Sequence, residues 1–343
     1  MEPGPGTRKE CSMVLLVTAI ALAFCILPVA AITITDDAGM TITVNATPSR
    51  IVSLSPSNTE ILASLGLLDR VVGVTDVCDY PPEVKNKTRI GGYSAVSIEK
   101  VAATRPDLVI ASDLTPKETV ARLREIGLPV VVVAPRNIDH MIRDIRMVGT
   151  LTGTESRAEV LATNLSHRIT ATLPSPLPEY LPTVVHIIWN KPLYVSGNNT
   201  IQNDVIVHAG GVNVFADRSG WSTVSLEEFL LANPDIILVS SGGGMDSSKN
   251  DLIRKEFMTR PQYASLSAVK NSHVYVVNAD IISRAGPRIV DAAEDIARIT
   301  HAVEEERAAS RAVTIPTGAT KTPGFTAIIA ALGLLAIVAR GRK

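Results

Sequence analysis

The chain is poor in cysteine and in aromatic residues, and it has no excess of charge of either sign. Its 343 residues include three cysteines, and 33 basic residues nearly balance 34 acidic ones. Three cysteines cannot build a disulfide framework. A balanced charge argues against a nucleic-acid partner, because a phosphate-binding surface normally carries a clear excess of Lys and Arg. The length suits one large domain or two medium ones.

Motifs of catalytic and metal sites are also missing. The six histidines fall into neither the H-x-x-x-H nor the H-E-x-x-H spacing of zinc enzymes. The glycines at 242–244 lack the Lys-Ser/Thr pair of a phosphate-binding loop, and no G-x-S-x-G nucleophile elbow occurs. The sequence therefore predicts a protein without catalytic residues, bound metal or cofactor.

The N-terminus has the pattern of a secretion signal. Two basic residues precede an apolar run over residues 13–29, and small residues follow at 30–31. This order predicts a signal peptide over residues 1–31, and an uncleaved membrane anchor is the alternative. Cleavage would leave Cys78 as the single cysteine, so that no internal disulfide can form.

The C-terminus carries a second apolar segment. Residues 323–325 read Pro-Gly-Phe, a largely apolar stretch continues to Ala339, and basic residues end the chain. The stretch is short for a hydrocarbon core about 30 Å thick. It resembles the archaeal PGF-CTERM sorting signal, which implies a surface protein that is clipped and lipid-anchored. A stop-transfer helix is the alternative, and both place the body outside the cell. We expect a linker over 308–322 and a sorting or anchor tail over 323–343.

The body between these ends alternates short β-branched runs with helical patterns. Runs that are apolar throughout, and separated by polar or helical sequence, are typical of buried parallel strands in an α/β fold. Four such runs lie in the first half and three in the second: Ile51–Leu54, Val71–Val74, Leu108–Ile110, Val130–Val133, Val184–Ile188, Ile236–Val239 and Val274–Val277.

One pattern occurs twice. Residues 96–110 and 224–238 each place Val, Ser and Glu before a Pro-Asp pair and a β-branched run, in register without a gap. The serine predicts a helix cap, and Pro-Asp predicts a turn into a buried strand. We therefore expect two similar Rossmann-like α/β lobes, an N-terminal lobe over 32–153 and a C-terminal lobe over 174–307.

A single long helix over residues 154–173 is predicted to join the lobes. Thr154 can cap its N-terminus, and apolar residues recur every three or four positions along one face. Several prolines then end the helix. Two lobes on one rigid helix enclose a ligand cleft whose opening motion should be small.

Loops at the predicted carboxyl ends of the strands supply candidates for a binding site, because ligands of open α/β sheets sit beyond these ends. Five of the thirteen aromatic residues lie there beside Pro or Gly: Tyr80, Tyr93, Trp189, Tyr194 and Trp221. Aromatic side chains offer rigid contact area at a low entropy cost, so the set indicates a site for a large, flat, partly apolar ligand. Packing over the core is the alternative for each, and Trp189 is the strongest candidate for it.

From Arg50 to about His301, the chain resembles the class III substrate-binding proteins of ABC importers, a group that takes up ferric siderophores, haem and cobalamin. Asp-Tyr-Pro-Pro at 79–82 and Ile-Gln-Asn at 201–203 are more specific to the cobalamin branch than the Pro-Asp-strand element. The resemblance implies an extracytoplasmic protein that captures a corrinoid and delivers it to a permease dimer with its ATPase subunits. We expect it to be a monomer.

The resemblance also implies binding residues. The corrinoid-contacting positions and the polar contacts beside them are Tyr80, Tyr93, Tyr194, Trp221, Asp280 and Arg284. Three positions depart from the family pattern: Tyr93 replaces a typical Trp, Ser112 replaces an aromatic residue, and His208 replaces a half-cystine.

Glu99 and Glu227 fall where each lobe of the family presents a carboxylate to arginines of the permease. An acidic residue in a first helical turn is also stabilised by the helix dipole, by about 0.3–1 kcal/mol, which needs no partner. Their equivalence in the internal repeat favours docking to a two-fold symmetric permease.

Two other functions stay open on the sequence alone. Haem or a ferric siderophore could bind to the same scaffold, with Arg284 and Arg288 as the main candidates for an anionic chelate. A surface-anchored enzyme or an adhesion module belongs to a different class of protein.

Overall fold

A computed structural model of the chain describes residues 31–241 and 252–314. The residues described up to Glu304 belong to one compact unit, and a second unit begins at Glu305. The predicted signal peptide, up to residue 30, and the predicted anchor tail lie outside the described residues. Within the described parts of the chain, every helix is too short or too polar to cross a bilayer.

The first lobe is a parallel sheet with helices on both faces. Its strands are β1 (Ile32–Thr35), β2 (Thr41–Val44), β3 (Ile51–Ser53), β4 (Val71–Val74), β5 (Thr88–Arg89), β6 (Leu108–Ala111) and β7 (Val130–Val132). Its helices are α1 (Pro56–Ser64), α2 (Ile98–Ala103), α3 (Lys117–Glu125) and α4 (Ile138–Thr152), and short 3-10 turns span Leu68–Arg70 and Pro82–Asn86. The sheet order is β5-β4-β3-β6-β7, and every neighbouring pair is parallel, which confirms the four predicted strands.

An N-terminal hairpin, which lies outside the predicted strands, is attached to the edge of this sheet. Strands β1 and β2 are antiparallel, and the turn between them binds β7. The backbone N–H of Asp37 donates to the Val132 carbonyl at 3.1 Å, and the Asp36 carboxylate accepts from the Val132 N–H at 3.1 Å. Asp37 also pairs with Arg143, next to the buried Asp144. Burial, and then the charge of Asp37, raise the pKa of Asp144 to about 7.

The second lobe contains a mixed sheet. After α5 (Glu155–Ala171), its strands are β8 (Thr183–Asn190), β9 (Leu193–Ser196), β10 (Val212–Asn213), β11 (Trp221–Val224), β12 (Ile236–Ser241) and β13 (Val274–Asn278). Its helices are α6 (Ile201–His208), α7 (Leu226–Ala232), α8 (Leu252–Thr259), α9 (Ser267–Lys270), α10 (Ala279–Ser283) and α11 (Ile289–Thr314), with a 3-10 turn at Pro261–Tyr263. The order is β11-β9-β8-β12-β13, with β10 also on β8. Strands β8, β12 and β13 are parallel as predicted, whereas β9 runs antiparallel to both of its neighbours, β8 and β11.

Two details at helix ends differ from the sequence prediction. Thr154 stands at the N-cap position of α5 but does not cap it, because its hydroxyl is hydrogen-bonded to the hydroxyl of Thr152 at 2.9 Å. Helix α11 continues to Thr314, so residues 308–314 of the predicted linker are helical.

The repeated Pro-Asp pattern has the same structural role in both lobes. Asp107 accepts hydrogen bonds at 2.8 Å from the backbone N–H groups of Ser49 and Arg50, which lead into β3. Asp235 accepts one at 2.8 Å from the N–H of Thr183 at the start of β8. Each carboxylate ties the turn before its own strand to the start of the neighbouring parallel strand, which confirms the internal repeat.

The two lobes share one hydrophobic core. Successive strand residues point to opposite faces of a sheet. In β6, Leu108 packs in the shared core and Val109 packs in a second core on the far face of the sheet. In β12, Leu238 packs in the shared core and Val239 packs in a third core. Helix α5 adds Leu165 to the shared core. Separating the lobes would expose these side chains, at about 1.5–3 kcal/mol for each large apolar one.

Helices α4 and α5 pack so closely that one position between them requires glycine. A methyl carbon on Gly149 would lie 2.3 Å from the Cβ of Ala158. Carbon atoms in favourable contact are roughly 3.5–4 Å apart, so the two helices would have to separate.

Replacing Gly149 with Ala should therefore lower the free energy of unfolding by about 1–3 kcal/mol. Alanine is intrinsically better than glycine in a helix interior by about 1 kcal/mol, so a loss reports the steric overlap rather than helix propensity. Adding Ala158→Gly should recover much of the loss in urea unfolding. Gly92→Ala, where the added methyl meets open space, is the control. A Gly149→Ala protein as stable as the wild type would contradict this packing.

Candidate functional site

A buried carboxylate of the first lobe is paired with an arginine of the second. Glu60, in α1, is only 1% exposed, and residues 58–62 around it are all buried. Its two oxygens accept hydrogen bonds from Arg288, at 3.0 Å from Nε and 2.6 Å from Nη2. A buried charge is costly unless it is paired, and a two-point contact with a guanidinium is the strongest pairing available. This pair therefore holds α1 against the start of α11.

A second arginine, Arg284, joins three carboxylates at the same place. Its Nη1 lies 2.6 Å from an oxygen of Asp79, in the loop after β4, and 3.6 Å from an oxygen of Glu60. Its Nη2 lies 2.8 Å from Asp280, in α10. Because Asp79 belongs to the first lobe and Arg284 to the second, this ion pair also spans the lobes. We call the five charged residues the interlobe cluster: Glu60, Asp79, Asp280, Arg284 and Arg288.

Ion pairing favours the charged forms of Asp79, Arg284 and Arg288 despite their partial burial. Burial by itself would raise the pKa of Asp79, but its hydrogen bond and attraction to Arg284 hold that pKa below the ordinary value. Burial would lower the pKa of both arginines, and the facing carboxylates raise it above the ordinary value. The cluster thus holds three carboxylates against two guanidinium groups, a formal excess of one negative charge.

Tyr80 packs directly on the interlobe cluster. The Cζ atom of Arg288 lies 3.8 Å from the centroid of the Tyr80 ring, which is the geometry of a cation–π contact. The residue is still 42% exposed, so much of its surface faces solvent. Three predicted site residues, Tyr80, Asp280 and Arg284, therefore meet at the contact between the lobes.

Tyr194 and Trp221 lie on strands rather than in the predicted loops. Tyr194 is in β9 and Trp221 begins β11, and the pairings Tyr194–Thr223 and Ser196–Trp221 place both aromatic side chains on one face of the sheet. The Trp221 ring N–H donates to the side-chain oxygen of Gln202 at 3.3 Å. Three of the four residues of β9 are buried, but the strand follows a two-residue turn, Lys191-Pro192, and that turn suggested a loop.

Trp189 is not a core residue, contrary to the sequence prediction. It is 48% exposed and pairs directly with Tyr194 across β8 and β9, so it shares the face of Tyr194 and Trp221. Its ring N–H donates to the Lys191 carbonyl at 2.9 Å. The prediction placed it inside because it follows an apolar run, but a register shift between Ile187 and Trp189 changes the alternation there.

Tyr93 lies in a different loop, which a glycine shapes. Gly91 has a φ of +104°, and a Cβ there would lie 2.5 Å from the Ala95 carbonyl oxygen. Only glycine can adopt this backbone at that distance. A bridge between Gly91 and Val96 then closes the loop and leaves Tyr93 exposed at its tip. In the described parts of the chain, Tyr93 is not among the residues that form the interlobe cluster or pack on it through an ion pair or ring contact.

Glu99 and Glu227 occupy equivalent exposed positions in the two lobes. Both lie in the first turn of a helix that begins at its predicted serine cap, α2 at Ser97 and α7 at Ser225. In α7, the neighbouring Glu228 completes a capping box. Glu227 is left outside that box, and within residues 31–241 and 252–314 neither Glu99 nor Glu227 forms an ion pair. Both residues are exposed, so their carboxylates face solvent.

Glu60, Asp79 and Arg288 are the cluster members that the sequence prediction did not assign to the corrinoid site. The sequence contains only a weak signal for Glu60, which stands directly before the apolar residues Ile61 and Leu62 in α1. A buried carboxylate requires a cation, but nothing near it in the sequence identifies the arginine that supplies it.

Two cavities lie elsewhere on the first lobe. One, of about 630 Å³, is lined by β2 and residues 127–130; the other, of about 840 Å³, lies between the β1–β2 turn and α3. Neither is lined by any of the predicted site residues. Across residues 31–241 and 252–314, no group of three or more His, Cys, Asp or Glu side chains is arranged to hold a metal ion.

The buried Glu60–Arg288 pair predicts that substitutions of two glutamates, Glu60 and Glu159, differ in their effect on stability. Glu60→Gln should lower the free energy of unfolding by about 3–5 kcal/mol, because it leaves Arg288 without its buried partner. Glu159 makes the same two-point contact with Arg146 on the surface, at 2.7 and 3.0 Å. Glu159→Gln should therefore cost less than about 1 kcal/mol. Equal losses of the two variants in denaturant unfolding would show that the Glu60 pair does not hold the lobes together.

Known proteins of similar sequence and structure are transport-related binding proteins. The substrate-binding lipoprotein YvrC, an uncharacterized ABC transporter protein of Bacillus subtilis, is 29% identical over 279 residues, which are 78% of this chain and 84% of that protein. The crystal structure of the periplasmic vitamin B12 binding protein BtuF of Vibrio cholerae is 27% identical, covers 76% of this chain and 99% of its own, and superposes with a TM-score of 0.67. The periplasmic heme-binding protein RhuT of Roseiflexus sp. RS-1, in its apo form, is 29% identical over 75% and 99% of the two chains, with a TM-score of 0.66.

The comparisons confirm the predicted fold, two α/β lobes joined by a helix, and they indicate binding rather than catalysis. A PGF-CTERM motif matches residues 322–343, as the sequence analysis expected. The periplasmic binding protein family matches residues 51–281, which include the strands of both lobes from β3 to β13. This chain therefore belongs to the periplasmic binding protein family and is a substrate-binding protein of the ABC-transporter type.

Proposed function

We propose that this protein captures a corrinoid between its two lobes and delivers it to the permease dimer of an ABC importer. The observation that carries the proposal is the interlobe cluster with Tyr80 packed on it. An aromatic surface next to carboxylates that can accept hydrogen bonds suits a broad ring whose edge carries amide groups. The protein itself performs no chemistry, and its partner supplies ATP hydrolysis.

The second lobe contributes further aromatic surface to this proposal. Tyr194 and Trp221 share one sheet face and keep part of their surface exposed, as a contact with a flat ligand requires. Trp189 lies on the same face and joins the proposed set. Tyr93, exposed at the tip of its loop, is proposed to contact the ligand from the first lobe. Asp280 and Arg284 would provide the polar contacts.

Haem is the second candidate ligand, and its support is the similarity to a heme-binding protein at 29% identity. The interlobe cluster favours a corrinoid over haem. Haem carries carboxylates at its edge, and these would meet a cluster that already has an excess of negative charge.

Glu99 and Glu227 are proposed to dock the two lobes onto the two halves of the permease. One exposed, unpaired carboxylate per lobe, at equivalent places of a structural repeat, matches a two-fold symmetric partner. Such charges orient the encounter more than they add affinity. The protein would work as a monomer on the outer face of the cytoplasmic membrane, anchored there through the segment that carries the PGF-CTERM motif.

The ligand is tested by calorimetry on the purified body with cyanocobalamin, cobinamide, haemin and ferrichrome. A corrinoid should bind at least about tenfold more tightly than haemin or ferrichrome, a difference of about 1.4 kcal/mol. Tyr80→Ala and Trp221→Ala should each weaken corrinoid binding about 10- to 100-fold, as for aromatic residues at the centre of an interface. Leu231→Ala removes an exposed side chain of the second lobe outside the set and is the control. Tight binding of haemin, together with no heat of binding from either corrinoid, would exclude a corrinoid as the ligand.

The docking role is tested by reversing both carboxylates. Glu99→Lys combined with Glu227→Lys should abolish corrinoid uptake while leaving ligand affinity unchanged, because neither residue contacts the proposed site. The matched control is Glu118→Lys with Glu125→Lys, which changes the net charge equally at two exposed positions of α3. Normal uptake by the first double variant would refute the docking role, and so would equal loss of uptake in the control.

A further inference from the structure

Both terminal nitrogens of Arg284 are engaged by carboxylates. Nη1 is 2.6 Å from Asp79 and Nη2 is 2.8 Å from Asp280, and only 12% of the Arg284 side chain is exposed. An arginine at the contact between two lobes could serve as a receptor for a ligand carboxylate. Here the protein's own carboxylates occupy that role, so the side chain does not present a free positive charge to the cleft.

Asp79 is the cluster member that solvent reaches most easily. Its side chain is 49% exposed, compared with 21% for Asp280 and 1% for Glu60. One of its oxygens accepts a hydrogen bond from Arg284 at 2.6 Å, and a carboxylate has about four lone-pair sites, so further donors can still be accepted. A ligand that approaches the cluster therefore meets a carboxylate oxygen that can accept a hydrogen bond.

The cluster is also negative as a whole, with three carboxylates and two guanidinium groups. Two like charges in close contact at a partly buried site repel each other strongly, whereas an amide N–H donates a hydrogen bond to the same oxygen. A carboxylate and an amide on otherwise identical ligands should therefore differ clearly in affinity at this place.

We infer that Asp79 is a specificity-determining residue: by occupying Arg284 and keeping the cluster negative, it selects a ring whose edge carries amides and rejects the same ring with carboxylates. This inference rests on the proposed function, since it assumes that the ligand lies against the interlobe cluster. It adds a rule about ligand charge that a general preference for large flat rings does not contain. The specificity is achieved by repelling the wrong ligand as well as by binding the right one.

The test compares two corrin rings that differ in their side groups: dicyanocobinamide, which carries amides, and dicyanocobyrinic acid, which carries carboxylates. Wild-type protein should bind the amide form at least about tenfold more tightly, and added salt should reduce the ratio because it screens partly exposed charges. Asp79→Asn removes one negative charge with little change of shape. This variant should reduce the ratio of the affinity for the amide form to that for the acid form about tenfold, mainly because the acid form binds more tightly.

Two further variants separate charge from structure. Asp79→Glu keeps the charge and should keep the wild-type ratio. Asp76→Asn removes another exposed carboxylate from the same loop, three residues earlier, and should also keep the wild-type ratio. Because all values are ratios between two ligands on one protein, a general loss of stability in a variant would not produce the expected pattern.

Failure of the inference can be distinguished from failure of the proposed function. If both corrins bind the wild type equally well, or if Asp79→Asn leaves the ratio unchanged, the role of Asp79 is refuted and corrinoid binding stands. If neither corrin binds, the proposed function fails. The same proteins are then titrated with mesoporphyrin and with its diamide. Preference of the wild type for the diacid would overturn the charge rule as well.

Discussion

A single buried carboxylate determines how the two lobes of this protein meet. Glu60 lies in a helix whose central residues are all inaccessible to solvent, and it is neutralised by an arginine 228 residues further along the chain. Because an unpaired charge there would be strongly unfavourable, the start of α11 is fixed against α1. Arg288 in this position stacks on Tyr80, and Arg284, four residues before it, reaches Asp79 and Asp280. The charged part of the candidate binding surface, with Tyr80 on it, is thus organised around one ion pair.

The sheets beneath this contact are organised by the same alternation in both lobes. The central parallel strands turn one set of side chains toward the core that the lobes share and the other set toward a core of their own lobe, as in β3, β6, β7, β8 and β12. The Pro-Asp turn before β6 and the one before β12 fasten the start of each strand in the same way. The repeat therefore extends from sequence to hydrogen bonding, and it places Glu99 and Glu227 at equivalent positions.

The sequence predicted those parts of the fold that depend on local patterns. All seven β-branched runs form strands, because an apolar run of that length can be buried on both faces of a sheet. The serine caps at Ser97 and Ser225 are also local and were predicted correctly. The cap predicted at Thr154 was wrong, because the Thr154 hydroxyl is hydrogen-bonded to the Thr152 hydroxyl instead of the helix backbone. Strand β9 was not predicted, because it begins directly after the turn at Pro192 and the sequence around that turn has the composition of a loop.

The partners of the candidate site were beyond such patterns. Hydrophobic periodicity shows which face of an element is buried, but it does not show which distant side chain will neutralise a charge on that face. Arg284 was placed at the site by resemblance, and its contact with Asp79 follows only from the way the lobes pack. The exposure of Trp189 depends on a register shift in β8 that leaves no signal in composition.

The shared core has a mechanical consequence for transport. A large opening of the cleft between the lobes would break the apolar packing that continues from β6 through α5 to β12. Cargo can then enter and leave only through rearrangement of loops and side chains along the rim, with the scaffold behaving as one rigid body. Because the lobes stay packed on each other, the rate of release is governed by how easily these rim segments are displaced, and the shared core is left intact.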